Sequence, residues 1–414
     1  MHSSCSRMGG AARGAAKHAA RAYKKEVKKL GLAPHDGGAP WVDQSPAEPG
    51  DPIRQNYYIY NSRKPKWEPR TAGTQKAHHV GGGQQLCKLA VYSWNLDFMV
   101  PVPRVRKTRM AAALRALEAA TGIDRRARPL SSTTATVVVL QGCLQEDLRV
   151  MAERPRVRDN FFMTDLRPAK PALTTTMLVD RRLPPSRVFR TGMARDAFCV
   201  DVSMAAASAP GGPRARRTIR LCTTHLDGGV TKAEADPTKT RTRTTPPTVR
   251  PAQMRRVAGL LKDGSTGVAA GIAAGDFRAV RDYDRTLPAD LGLRDAYLAL
   301  GGEEDAPGGY TWGPQAPRRP AQEGGGEERK KSLSLALVKG KVGCARRDKV
   351  CYFDGSGALR LLGFHTFGAG LELPPVKAKE ARSMRELGYE KAWITDRIGV
   401  MAEFEVVAGP ERRE

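Results

Sequence analysis

The feature that most constrains this chain is a series of short apolar runs that fill its last three quarters. "KLAVYSWNLDF", "TVVVLQG", "TTTMLVD", "DAFCVDVSM", "TIRLCTTHL", "GVAAGIAAGDF", "KVCYF" and "GVMAEFEVV" follow one another between residues 86 and 408. All are rich in Val, Leu, Ile or Thr and too short for helices of ordinary length, so they read as strands. In the last run Val400, Ala402, Phe404 and Val406 alternate with Met401, Glu403 and Glu405, the period of a strand with one buried face. Few helices lie between the runs. "KTRMAAALRALEA" sets Met110, Leu114 and Leu117 on one stripe, and "PAQMRRVAGLLKD" does the same with Met254, Val257 and Leu261 behind Pro251. Strands interleaved with so few helices predict a layered α/β (α+β) sandwich and not a doubly wound nucleotide fold.

The flanks read differently. Residues 1–30 form a basic, Ala-rich tail without an acidic residue before Glu26. That composition suits a mitochondrial targeting segment, or a nuclear or nucleic-acid-binding helix. Residues 31–85 are dominated by Pro, Gly and polar side chains and read as a flexible linker, with a docked aromatic patch at "NYYIY" and "KPKWEP". Two further stretches, 228–250 and 301–343, read as long basic loops. The seven cysteines form no C-x-x-C pair and sit largely inside apolar runs, which argues for reduced, buried thiols and an intracellular compartment. No run approaches the roughly 18 to 20 apolar residues of a membrane span.

With 69 basic against 43 acidic residues, the formal charge is +26. Such an excess points to a polyanionic partner, nucleic acid foremost, while a solvated basic surface is the plainer alternative. No repeat, Walker loop, zinc pattern or G-x-S-x-G is present.

Polar residues fall where the strands stop. Asn95 and Asp97 follow "LAVYSW", Gln141 closes "TVVVL", and His225 with Asp227 closes "IRLCTT". Asp276 closes "GIAAG", Asp348 precedes "KVCYF", and Asp396 precedes "GVMAEFEV". Singly, each is a common turn former. In this order they resemble the metal-dependent endonuclease/exonuclease/phosphatase superfamily, closest to its 5′-tyrosyl-DNA phosphodiesterase-like branch. "YSWNLDF", "VVVLQG", "TTHLDGG", "AAGDFRAV" and "ITDRIGV" are similar to its W-N, L-Q-E, H-L-E/D, G-D-x-N and S/T-D-H motifs. The resemblance implies a four-layer sandwich, two mixed β-sheets flanked by helices, with the site at one end of the sheets. It also implies hydrolysis of a phosphodiester with Mg²⁺ held by carboxylates. The residues it carries over as catalytic are Asn95, His225, Asp276 and Asp396. Asp97 and Asp348 are carried over toward the metal, and Arg195 of "MARDAF" toward the phosphate.

Three positions break the pattern. Gly142 stands for the metal-binding Glu, Arg278 for the Asn of G-D-x-N, and Arg397 for the terminal His. The site thereby loses a carboxylate and gains two permanent cations. Two like charges about 4 Å apart repel by about 4 kcal/mol at an effective dielectric of 20, so Mg²⁺ occupancy should fall. Glu146 lies four residues beyond Gly142, within reach in principle, but the helix expected there points it elsewhere. The tyrosine expected before "TTT" is absent, with Ala172 and Leu173 there. Guanidinium groups bind phosphate bidentately, so Arg278 and Arg397 are expected phosphate contacts beside Arg195. Three readings follow. The chain is a catalytically impaired member binding nucleic acid or another phosphorylated polyanion, an active Mg²⁺-dependent phosphodiesterase, or a non-catalytic scaffold with a protein partner.

Overall fold

The structure is a computed structural model, describing residues 52–73, 86–96, 103–122, 133–166, 174–191, 197–207, 215–226, 249–279, 282–315, 344–374, 382 and 390–408. The basic tail, most of the loop 228–250 and the basic part of 301–343 lie outside them.

Among the described residues, fifteen strands make two sheets. In chain order they are β1 (Pro52–Arg54), β2 (Tyr57–Asn61), β3 (Lys66–Arg70), β4 (Lys88–Asn95), β5 (Thr134–Cys143), β6 (Phe161–Met163), β7 (Thr174–Asp180) and β8 (Pro185–Thr191). There follow β9 (Ala197–Ala205), β10 (Arg216–His225), β11 (Val268–Asp276), β12 (Arg294–Asp295), β13 (Asp348–Phe353), β14 (Leu359–Phe367) and β15 (Gly399–Val406). One sheet is seven-stranded in the order β1-β8-β9-β10-β11-β13-β12, and the other eight-stranded in the order β14-β15-β4-β5-β7-β6-β2-β3. Both are mixed, because β4–β5 and β10–β11 run parallel while their neighbours run antiparallel.

Alternation along the strands explains why the sheets stack and why helices cover them. Leu89 and Val91 of β4, with Val137 and Val139 of β5, face Val200, Ile219, Leu221 and Ile272 of the other sheet in one inner core. The intervening Tyr92, Trp94, Val138 and Leu140 pack outward against Met110, Leu114 and Leu117 of helix α1 (Pro103–Thr121). On the other outer face, Cys199, Cys222, Ala273 and Cys351 pack under Met254, Val257 and Leu261 of helix α4 (Val249–Lys262). Central strands buried on both faces read as near-continuous apolar runs, which is how they stood out in the sequence. The shorter helices are α2 (Gln145–Glu153), α3 (Pro155–Asn160), α5 (Asp282–Asp290) and α6 (Ala296–Ala299). The described cysteines are all free thiols, and no described helix is long and apolar enough to cross a membrane.

Two sequence expectations need correction. The stretch 52–73, read as part of a linker, contributes β1, β2 and β3. Tyr57 is fully buried against Phe162, and Tyr60 packs edge-on against Trp67. Its polar composition reflects a peripheral position, with β1 and β3 at the sheet edges and β2 next to β3. The segment 301–315, read as loop, is held by backbone bonds: Thr311 and Trp312 N–H groups both donate to Ala345 O at 3.1 Å, and Trp312 bridges Arg397.

Candidate functional site at the ends of the sheets

Strand register brings the polar ends together. Asn95 lies opposite Gln141 at the end of the parallel pair β4–β5, and His225 opposite Asp276 at the end of β10–β11. Asp276 in turn faces Asp348 at the start of β13. The sheets meet here: Asn95 Nδ2 donates to Asp276 Oδ2 at 2.8 Å. Below this bond Gln141 Nε2 donates to Ser93 Oγ at 3.2 Å and across to Thr223 Oγ1 at 3.0 Å, leaving its fully buried Oε1 without a partner. Within the β10–β11 pair Gly275 lies tight against its register partner, since a Cβ there would lie 2.0 Å from Thr224 O.

Asp276 is the hub. Its Oδ1 accepts the Arg278 N–H at 2.9 Å, closing the turn after β11. Its Oδ2 takes Asn95 and also Arg397 Nη2 at 3.0 Å, with His225 Nε2 and Arg278 Nε each at 3.5 Å. Burial pushes this carboxyl's pKa up, but the surrounding cations, Arg397 foremost, outweigh burial and hold it well below the usual carboxylate range.

Arg397 occupies the middle of the carboxylates. Its side chain is 5% exposed, and besides Asp276 it meets Asp348 Oδ2 through Nη1 at 3.5 Å and Asp396 Oδ1 through Nε at 3.3 Å. Its backbone is fixed as firmly: Trp94 Nε1 donates to its carbonyl at 3.1 Å, and its N–H donates to Thr395 Oγ1 at 3.2 Å. Asp396 is clamped from the far side by Trp312 Nε1 at 3.1 Å. Asp348 is fully buried, and burial together with the Asp276 charge pushes its pKa up to about 7 against the pull of Arg397.

Arg278 sits at φ 48°, a left-handed conformation that Asn tolerates better than Arg. Its Nε and Nη2 lie 3.2 and 3.0 Å from His225 Nε2. A guanidinium only donates, so Nε2 accepts in these two contacts.

Gly142 is at φ 72°, beside a register shift between Leu140 and Cys143 where β5 pairs with β7. Glu146 is exposed in the first turn of α2, and that turn is set by Asp147 Oδ2 accepting the Leu144 N–H at 2.8 Å. Asn95, His225, Asp276, Asp348, Asp396, Arg278 and Arg397 thus share one place, while Asp97 and Arg195 lie outside the described residues.

The sequence reading missed Arg347. It is partly exposed, its N–H and that of Asp348 both donate to Thr311 Oγ1, and its guanidinium carbon lies 3.5 Å from the centre of the Trp312 ring. Its Nε has no hydrogen-bond partner. Burial and repulsion from Arg397 push its pKa down to about 9. The available signal was the doubled arginine of "RRDKVCYF" next to Asp348.

These residues do not fit a divalent ion. Mg²⁺ needs near-octahedral oxygen ligands, yet the Oδ2 atom of Asp276 is committed to Asn95 and Arg397, and a guanidinium stands between it and Asp348. Among the described residues no group of three or more His, Cys, Asp or Glu is arranged to hold a metal.

The two stacked mixed sheets with helices on their outer faces are the layered sandwich expected from the sequence. Among solved structures the chain is similar to D. rerio TDP2 complexed with single strand DNA product, at 18% identity over 77% of this chain and 99% of that one, TM-score 0.45. It is also similar to the human Nocturnin catalytic domain with bound sulfate anion, at 13% identity, 78% and 97% coverage and TM-score 0.44. An endonuclease/exonuclease/phosphatase family protein from Bacteroides thetaiotaomicron gives 12%, 78%, 96% and 0.45. No family model and no curated protein matches the chain.

Proposed function

We propose that this chain is a phosphodiesterase-like protein whose catalytic site is impaired and whose retained role is to bind nucleic acid or another phosphorylated polyanion. The observation that carries the reading is Arg397, a buried guanidinium set among Asp276, Asp348 and Asp396. Carboxylates that would otherwise need a metal or protons to offset their mutual repulsion have an internal counterion. Asp276, held ionised and bonded by Asn95 and Arg397, has no free lone pair directed at an attacking water on its Oδ2 side. His225, accepting from Arg278 through Nε2, is not set to give a proton to a leaving group from that atom. The formal charge of +26 supports an anionic ligand.

Two assays on the natural chain test this. Hydrolysis of a generic phosphodiester and a 5′-phosphotyrosyl oligonucleotide with Mg²⁺ or Mn²⁺ should show no chelator-sensitive turnover. Binding of duplex DNA should weaken steeply with salt, each neutralised phosphate contributing about −0.9 to the logarithmic slope. Chelator-sensitive turnover that disappears in Asp276→Ala would overturn the proposal. Failure to bind any nucleic acid or phosphorylated ligand would leave the scaffold reading.

A further inference from the structure

Three arginines of the site differ in what remains for a ligand. Arg397 is buried and its guanidinium faces three carboxylates. Arg278 is bonded to His225 and lies near Asp276, with its side chain 25% exposed. Arg347 is partly exposed, makes no ion pair among the described residues, and has an unpartnered Nε. Its guanidinium carbon lies 3.5 Å from the centre of the Trp312 ring, which occupies one face, and its buried Nε–H donor is left without an acceptor. Arg278 and Arg347 come from neighbouring backbone, since Phe277 N–H donates to Arg347 O at 2.8 Å. Each feels the other's charge, and Arg347 also feels Arg397.

From this arrangement we infer that Arg347, set over Trp312 and flanked by Arg278, is the principal contact for one phosphoryl group of the ligand, and that Arg397 is an internal counterion and not a phosphate contact. This deepens the anion-binding reading above and rests on it. A phosphoryl group suits Arg347 because it accepts in-plane donors from a guanidinium edge and offsets the repulsion that Arg347 feels from Arg278 and Arg397. Arg278 follows the end of β11 and Arg347 precedes the start of β13, so the two cations come from neighbouring chain ends, a local site and not an extended backbone groove. The ligand class is therefore a terminal phosphate monoester, such as a 5′-phosphorylated nucleic-acid end.

The test is calorimetric binding of inorganic phosphate and of matched 5′-phosphorylated and 5′-hydroxyl dinucleotides to the natural full chain, Arg347→Gln, Arg347→Lys and Arg397→Gln. The 5′-phosphorylated probe should bind the natural chain at least tenfold more tightly than the 5′-hydroxyl probe. Arg347→Gln should lose that preference, and Arg347→Lys should keep part of it. Peptide-mapped phenylglyoxal labelling of the natural chain needs no folded variant: phosphate should protect Arg347 and leave Arg397 unchanged. Unchanged affinity in Arg347→Gln, no protection of Arg347, or equal binding of both dinucleotides would overturn the inference while leaving polyanion binding intact. Absence of binding by any phosphorylated or nucleic-acid probe would overturn both.

Discussion

Arg346 and Arg347 are neighbours in the chain and belong to opposite kinds of ionic cluster. Arg346 Nη2 makes two bonds to Asp295, at 2.8 and 2.9 Å, and its Nη1 reaches Glu304. Lys349 Nζ completes the group at 3.0 Å from Glu304 and 3.5 Å from Asp295. Two cations meet two carboxylates there, and Asp295 also caps α6 by accepting the Tyr297 and Leu298 N–H groups. The sheet-end cluster has three arginines, Arg278, Arg347 and Arg397, against Asp276, Asp348 and Asp396. Its formal balance fails near neutral pH, because Asp348 is half protonated with a pKa of about 7. Buried charge that is matched acts as a structural element. Buried charge that is left over marks a place where an outside anion completes the set.

Breaking the matched cluster should have the largest effect. Arg346→Leu strands Asp295 and Glu304 and should cost about 3–5 kcal/mol in urea unfolding, the usual cost of removing one partner of a buried pair. Arg397→Gln should cost a similar amount if Arg397 is a counterion. Arg347→Leu, which removes a stacked but unpaired cation, should cost about 1 kcal/mol or less. Equal losses at Arg346 and Arg347 would erase the distinction between the clusters.

Next in size is a pH effect. In the folded chain Asp348 keeps its proton between its ordinary 3.8 and about 7, a window in which the unfolded chain has lost it. The stability tied to this raised pKa is fully present below that window and is lost as pH rises through it. Asp348→Asn should therefore gain on the natural chain between pH 5 and pH 8, read from urea midpoints at both. A constant difference across that range would show that Asp348 is already ionised in the folded protein.

Smaller effects concern the backbone. Gly142→Glu places a side chain at φ 72° and should cost about 1–2 kcal/mol by itself, so restoring the expected carboxylate also strains the turn. Arg278→Asn suits φ 48° and should leave stability within about 0.5 kcal/mol, measured by thermal unfolding.

The sequence by itself determined the layers. Apolar runs such as "TVVVL" and "GIAAG" bury on both faces whatever follows, and the polar residues that end them were readable as a cluster because strands in register carry their ends to the same place. The peripheral strands β2 and β3 were not readable, since a half-exposed strand with polar neighbours has the composition of a linker. Position was legible at Asn95, His225, Asp276, Asp348, Asp396, Arg278 and Arg397, but partnership was not. Whether an arginine faces a ligand or a carboxylate depends on side-chain reach across two sheets, and no spacing along the chain encodes that. Only the tertiary structure turned Arg397 inward among three carboxylates and laid Arg347 on Trp312, because the 301–315 segment that carries Trp312 docks through Thr311 and Ala345 and announces nothing of this in its composition.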